Sequence, residues 1–226
     1  MNQNKTSIFV TGIGTDVGKT VASAILVQAL GYDYWKPVQA GNLDNTDSMK
    51  VRSFVERDDV KIHSEYIRLS KPLSPHAAAE MDGVSISIEK IRLPQTSRGL
   101  IIEGAGGVMV PLNNEHSMID LMEHFNAGVI IVSKHYLGSI NHSLLTFEAF
   151  KSHKIPVLGW VFNGKPDKST QDIILQKSGK PRLFSIYPEN EITSQTIRKY
   201  ADDLINDQKS FKKLTTLNHK NTDVYR

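Results

Sequence analysis

The chain alternates short apolar runs with stretches whose apolar residues recur at helical spacing. Residues 8–11 (Ile-Phe-Val-Thr) are a continuous β-prone run, as in a strand covered on both faces. After a glycine-rich segment, Val21, Ala24, Ile25, Gln28 and Ala29 share one side of a predicted helix, with Gly31 as its C-terminal stop. Residues 32–35 read as the next strand, closed by Lys36 and Pro37, and Thr46 or Asp47 caps a helix to about Glu56. Residues 61–96 are less regular. Residues 100–102 read as a buried strand ending in Glu103 and a glycine-rich turn. Met118, Leu121, Met122 and Phe125 follow the i, i+3, i+4, i+7 pattern of a helix. Strands at 129–132, 156–162 and 182–186 then alternate with helices at 138–153, near 170–177 and near 193–205.

Repeated strand–helix alternation with no internal repeat and no low-complexity linker predicts an α/β fold. It is a single-domain, doubly wound, mostly parallel sheet flanked by helices, with right-handed crossovers. Residues 1–206 form that domain, and residues 207–226 are expected to be a flexible, polar, basic tail. In such sheets ligands sit beyond the C-terminal strand ends, which is where the polar residues discussed below fall.

Composition narrows the classes. Of 226 residues, 39% are hydrophobic, enough to bury a real core and exclude wholesale disorder. The absence of cysteine excludes a disulfide scaffold, thiolate zinc, an iron–sulfur cluster and a cysteine nucleophile. No apolar run approaches the ~18 residues of a spanning helix, and residues 1–5 are polar rather than a signal peptide. A soluble, cytoplasmic protein without a membrane partner is expected. The net charge of +3 suggests nucleic acid until it is located. Five Lys or Arg against two Asp in residues 207–226 hold the whole excess. A neutral body gives little electrostatic reason to bind a polyanion, so no nucleic-acid partner is expected.

The strongest chemical signal is Gly12-Ile-Gly-Thr-Asp-Val-Gly18-Lys19-Thr20, between a strand and an amphipathic helix. Glycines let several backbone N–H groups turn into one concavity at the positive end of the helix, the requirement for cradling phosphates. Lys19 would reach the β- and γ-phosphates and the Thr20 hydroxyl would ligate magnesium, so the fold is of the P-loop NTPase type. Five residues, not the common four, separate Gly12 from Gly18. Partition and division-site ATPases carry an extra lysine four residues before the last glycine; that position is Gly14 here. Nitrogenase-reductase relatives need cysteines. Both subtractions favour a metabolic enzyme over the alternative, a partition-type ATPase switch acting on a protein partner.

Four other residues can carry chemistry. Glu103 ends a buried strand before a glycine run, where a carboxylate can complete magnesium coordination. Asp47 is either a second magnesium ligand or a helix cap. Lys36, held extended by Pro37, either faces the phosphate loop or is solvated. As a strand-end lysine it should contribute little to the core, so Lys36→Ala is expected to leave the fold intact. Asn163 follows a strand and is either a reader of a nucleobase edge or an ordinary loop residue.

Taken together these segments resemble the dethiobiotin synthetase family. The matching motifs are VTGIGTDVGKT at 10–20, WKPVQAG at 35–41, TD at 46–47, SPH at 74–76, EGAGG at 103–107 followed by PL, LGSINH at 137–142 and GWVFN at 159–163. The resemblance implies an ATP- and magnesium-dependent ligase of biotin biosynthesis. It would close a ureido ring on 7,8-diaminononanoate with CO2, through a carbamate and a carbamic–phosphoric anhydride. It implies Thr20, Asp47 and Glu103 as magnesium ligands and Lys36, Lys19 and Thr15 as catalytic groups. It places Asp16, Val17, Gly18, Lys19, Thr20 and Val21, with Gly104, Ala105, Gly106, Asn163, Tyr187 and Pro188, around the nucleotide. Gly12, Thr15, Lys36 and Ala40 would meet the diamine, and Leu137, Gly138, Ser139 and Asn141 would receive its carboxylate from the partner subunit of a homodimer. Asp16 stands where many relatives have Glu, and Ala40 where others have Ser or Thr; both departures bear on substrate affinity more than on reaction type.

Overall fold

The structure, a computed structural model, describes residues 6–216. Seven parallel strands form one sheet in the order β4-β2-β6-β1-β7-β8-β9. In chain order these are β1 (Ser7–Gly12), β2 (Asp33–Trp35), β4 (Ile62–His63), β6 (Leu100–Gly107), β7 (Gly128–Lys134), β8 (Val157–Asn163) and β9 (Arg182–Ile186). Two short strands, β3 (Val38–Ala40) and β5 (Ile67–Leu69), pair with each other beside it. The helices are α1 (Lys19–Leu30), α2 (Asp47–Phe54), α3 (Pro75–Met81), α4 (Met118–Phe125), α5 (Ser139–Ser152), α6 (Lys168–Ser178), α7 (Ser194–Asn206) and α8 (Gln208–Thr215). Among the described residues no helix is long and apolar enough to cross a membrane.

The continuous apolar runs exist because the sheet is covered on both faces. Alternation along the strands divides the core in two. Ile8, Val10, Ile101, Ile130 and Val132 pack with α1 and α7 on one face. Phe9, Ile102, Val129 and Ile131 pack with α4 and α5 on the other. Local signals close the helices: Gly31 ends α1 in the left-handed conformation (φ 64°), and Ser117 with Asp120 forms a capping box at the start of α4.

Three regions depart from the sequence expectation. The glycines after Glu103 are strand rather than turn, since β6 continues to Gly107, which pairs with Gly12. A side chain at Gly104 would come within 2.8 Å of Phe9 Cε1, so the strand needs glycine there for close packing. The irregular stretch 61–96 holds β4, β5 and α3; strands of two and three residues are too short to show a period. Within the segment assigned to a tail, residues 208–215 form α8, which buries Leu214 in the core shared with α7. The rest of that segment, residues 217–226, lies outside the described residues.

At the start of β2, buried Asp33 accepts hydrogen bonds from the Lys61 N–H (2.8 Å) and the Thr96 hydroxyl (2.6 Å), and sits 3.3 Å from His63 Nε2. Burial lowers the His63 pKa below its ordinary 6.5, against the opposing pull of Asp33. Burial would raise Asp33, but the Thr96 hydroxyl, the Lys61 N–H and His63 outweigh it and hold the carboxyl below 3.8. Both groups bind protons less readily folded than unfolded, so stability falls as pH falls, first through the histidine range. The melting temperature should therefore drop between about pH 7.5 and about pH 5.5. The drop should be shallower in His63→Gln; equal slopes would show that the pair does not contribute.

Candidate active site

β1 delivers the chain into the phosphate loop and α1 carries it away. The loop closes tightly: a side chain on Gly12 would meet Val17 Cγ2 at 2.3 Å, and one on Gly18 (φ 100°) would meet Asn163 Nδ2 at 2.4 Å. Asp16 holds a left-handed backbone (φ 55°) that costs a non-glycine residue strain. Lys19 is buried, and its ammonium donates to the Gly14 carbonyl at 2.8 Å, bridging the loop. Burial depresses its pKa to about 8, with Lys36 pushing the same way and Glu103 opposing.

Opposite the loop, one carboxylate gathers the polar groups. Glu103 is 1% exposed on the α1 face of β6. Its Oε1 accepts from the Thr20 hydroxyl (2.9 Å) and the Lys36 ammonium (3.2 Å), and its Oε2 from the Tyr34 hydroxyl (2.9 Å). Lys36 also pairs with Asp47 Oδ2 at 2.7 Å, and Lys50 with Asp47 Oδ1 at 3.2 Å. Burial alone would lower the Lys36 pKa, but Glu103 and Asp47 together raise it, keeping the ammonium charged. Burial would likewise raise Asp47, and Lys36 and Lys50 instead hold its carboxyl below the usual range. The Thr46 side chain accepts from the Met49 N–H and caps α2, so the Asp47 carboxylate is free to face the cleft. Gln39 Oε1 accepts from the Asp47 N–H at 3.2 Å and fixes where that residue starts.

The donors of this cluster are all hard oxygens, a hydroxyl and two carboxylates, and a cationic nitrogen already sits between the carboxylates. That set fits magnesium. No group of three or more His, Cys, Asp or Glu able to hold a metal occurs among the described residues. Magnesium here would thus take its remaining ligands from phosphate and water, its usual habit.

A cleft of about 880 Å³ joins the loop to the cluster. Thr15, Asp16, Gly18, Lys19, Thr20 and Val21 line its loop side, and Lys36, Ala40, Asp47, Glu103, Ala105 and Gly106 its far side. Asn163 ends β8 beside the loop, donating from Nδ2 to the Val17 carbonyl at 2.9 Å. Gly12 and Gly104 are packed against Val17 and Phe9 and do not line the cleft. Tyr187 and Pro188 follow β9 exposed to solvent, and Tyr187 borders a separate hollow near α6 and α8. Leu137, Gly138, Ser139 and Asn141 also stay outside the cleft. They form the head of α5, with Leu137 fully exposed, near a second hollow of about 850 Å³ on the other side of the loop. Sequence reasoning passed over Tyr34, Gln39 and Lys50. Tyr34 had one readable signal: it lies two residues before Lys36, hence on the same face of an extended chain.

A parallel sheet, a strand–glycine loop–helix carrying Lys19 and Thr20, and a buried carboxylate beside them define a P-loop nucleotide-binding α/β protein. A family model described as an AAA domain matches residues 6–196. Among solved structures, a putative plasmid partition protein from Borrelia burgdorferi bound to AMPPNP superposes with a TM-score of 0.55 at 11% identity. That match covers 93% of this chain and 99% of the other. A ParA family ATPase from Chlorobium tepidum gives 0.50 at 14% identity, covering 96% and 100%. At such identities the likeness shows the fold alone.

Relatives in sequence are more specific. The chain is 47% identical to the ATP-dependent dethiobiotin synthetase BioD of Christiangramia forsetii, covering 87% of this chain and 94% of the relative. It is 49% identical to that of Cytophaga hutchinsonii, covering 85% and 94%, and 42% identical to that of Chlamydia pneumoniae, covering 94% and 92%. The chain belongs to the dethiobiotin synthetase family, ATP-dependent ligases that form C–N bonds in biotin biosynthesis.

The burial of Lys36 corrects the expectation that its removal leaves the fold untouched. Lys36→Ala strands Glu103 and Asp47 without their shared cation, and breaking such a buried pair costs about 3 kcal/mol or more. Denaturant melts should show that loss, with part of it recovered on adding magnesium chloride. An unchanged midpoint would mean the cluster is not held by Lys36.

Proposed function

We propose that this chain catalyses the ATP- and magnesium-dependent closure of the ureido ring of dethiobiotin from 7,8-diaminononanoate and CO2, releasing ADP and phosphate. The observation that carries this reading is the convergence of Thr20, Lys36 and Asp47 around buried Glu103, across a cleft from the phosphate loop. One amine attacks CO2 and loses a proton, giving a carbamate. A carbamate oxygen then attacks the γ-phosphorus and ADP leaves. The second amine attacks the carbonyl of the resulting anhydride and gives up a proton, the C–O bond to phosphate breaks, and the ring closes with phosphate released.

The physical difficulty is that carbamate and γ-phosphate are both anions. Lys19 exchanges the Gly14 carbonyl for phosphate oxygens, and the loop N–H groups cradle the β-phosphate. Lys36, kept charged by its carboxylates, lies where it can neutralise the approaching carbamate. Thr20, Asp47 and Glu103 would hold magnesium, which adds charge neutralisation at the β- and γ-phosphate oxygens. Thr15 and Asp16 would face the diamine from the loop, and Asn163 with Ala105 and Gly106 would border the nucleotide. Ala40 contributes surface without a hydroxyl. Holding the second amine next to the anhydride makes closure intramolecular, worth ~7 kcal/mol or more in favourable cases.

The reading includes a homodimer. Met109, Tyr136 and Leu145 are exposed in the lining of the second hollow, and Leu137 and Ile140 are exposed at the head of α5, apolar surface of the kind a partner covers. A second copy there would bring its α5 head, with Ser139 and Asn141, to the substrate carboxylate; a helix N-terminus suits that charge.

Three outcomes test the proposal. Phosphate release from MgATP with bicarbonate should depend on 7,8-diaminononanoate, with dethiobiotin found by mass spectrometry; ATP binding without diamine-dependent turnover would contradict it. Glu103→Gln should raise the magnesium needed for half-maximal turnover, and an unchanged titration would remove Glu103 from the metal site. Leu145→Glu should give a monomer by sedimentation that binds ATP but turns over poorly; an unaltered mass would place the dimer elsewhere.

A further inference from the structure

Tyr34 is fully buried on β2, in the apolar cluster that includes Ile25, Val51 and Ile101. Strand register explains what its hydroxyl reaches. Tyr34 lies opposite Ile101 on the parallel neighbour β6, so Glu103, two residues further along, is on the same face and within reach of the tyrosine's length. The hydroxyl donates to Glu103 Oε2 at 2.9 Å. The other oxygen, Oε1, takes the Thr20 hydroxyl and the Lys36 ammonium. The carboxylate is thus gripped from two sides, Oε2 from the core and Oε1 from the cleft.

We propose that Tyr34 is a positioning residue, whose hydroxyl fixes the rotation of the Glu103 carboxylate so that Oε1 faces Thr20 and the nucleotide's magnesium. This rests on the reading of Glu103 as a metal-binding group. Packing does not require the hydroxyl, because a phenylalanine ring fills the same space among the same aliphatic neighbours. What the hydroxyl adds is direction. Without it Oε2 is a buried acceptor lacking its donor, and the carboxylate relaxes by turning toward other donors, Lys36 among them. Hydrogen bonds that orient a metal's ligand in this way typically control its affinity by tenfold or more.

The test is ADP binding measured by calorimetry, with magnesium and with EDTA, for the wild-type protein, Tyr34→Phe, Glu103→Gln and the double variant. Tyr34→Phe should bind ADP with magnesium on the order of tenfold more weakly and ADP with EDTA as the wild type does. In the Glu103→Gln background, removing the hydroxyl should change neither. Wild-type affinity in Tyr34→Phe, an equal loss with and without magnesium, or a loss that persists in the Glu103→Gln background would overturn the inference. So would a Tyr34→Phe protein that fails to fold, since the hydroxyl would then be structural. Failure of the underlying reading shows itself separately, before Tyr34 is changed. Magnesium would then not strengthen ADP binding to the wild type, or Glu103→Gln would keep the whole effect, and the inference would fall with it.

Discussion

The ammonium of Lys36 lies between the carboxylates of Glu103 and Asp47, all but Asp47 nearly sealed from water. Taking such charges out of water is expensive, and their attraction offsets the cost only when geometry is good and the remaining lone pairs are satisfied. Here Thr20, Tyr34 and Lys50 supply those further contacts. Every element carrying one of these groups must therefore arrive in register. β2 and β6 bring Tyr34, Lys36 and Glu103 to one face of the sheet, α1 brings Thr20, and the capped start of α2 brings Asp47. Misplacing the end of β2, or β6, leaves a buried charge without its partner, and misplacing α1 takes a donor from the Glu103 carboxylate.

That constraint links fold to chemistry. Parallel strands with both faces buried end together at one edge, so short polar residues at strand ends converge there without long loops. The same arrangement puts the phosphate loop one strand away from Glu103, because β1 and β6 are neighbours. A pocket meant to bring two anions together needs cations that stay charged although buried. Glu103 and Asp47 do this for Lys36. Among the described residues no carboxylate is in direct contact with Lys19, which leans on a backbone carbonyl, as fits a group that must be free to turn to phosphate.

Much of this was legible in the chain because the signals are local. The glycine spacing from Gly12 to Gly18, the apolar spacing of Met118–Phe125 and the run Arg182–Ile186 each need only a few neighbouring residues to be read. What escaped depends on distant partners. β6 continues through its glycines because Gly107 pairs with Gly12 and Phe9 leaves no room at Gly104. For Asp47 the cap reading falls away only because Thr46 takes the cap of α2. For Lys36 the chain left two readings open, facing the phosphate loop or solvated, because the partner that buries it, Glu103, lies far along the chain. Tyr34 fell inside the strand expected at residues 32–35, and its partner Glu103 is again distant in the chain. The head of α5 and Tyr187 were named from resemblance, and within one chain they stand away from the cleft.

If carbamate and γ-phosphate do meet beside Lys36, an oxygen of CO2 must leave with the phosphate, because the anhydride breaks at its carbon–oxygen bond. Mass analysis of the phosphate formed from unlabelled MgATP, the diamine and freshly added 18O-labelled CO2 tests this directly. Phosphate carrying one labelled oxygen is the predicted result. Unlabelled phosphate would mean that water, not carbamate, attacks the nucleotide, and that the buried cluster serves an ATPase rather than a ring-closing ligase.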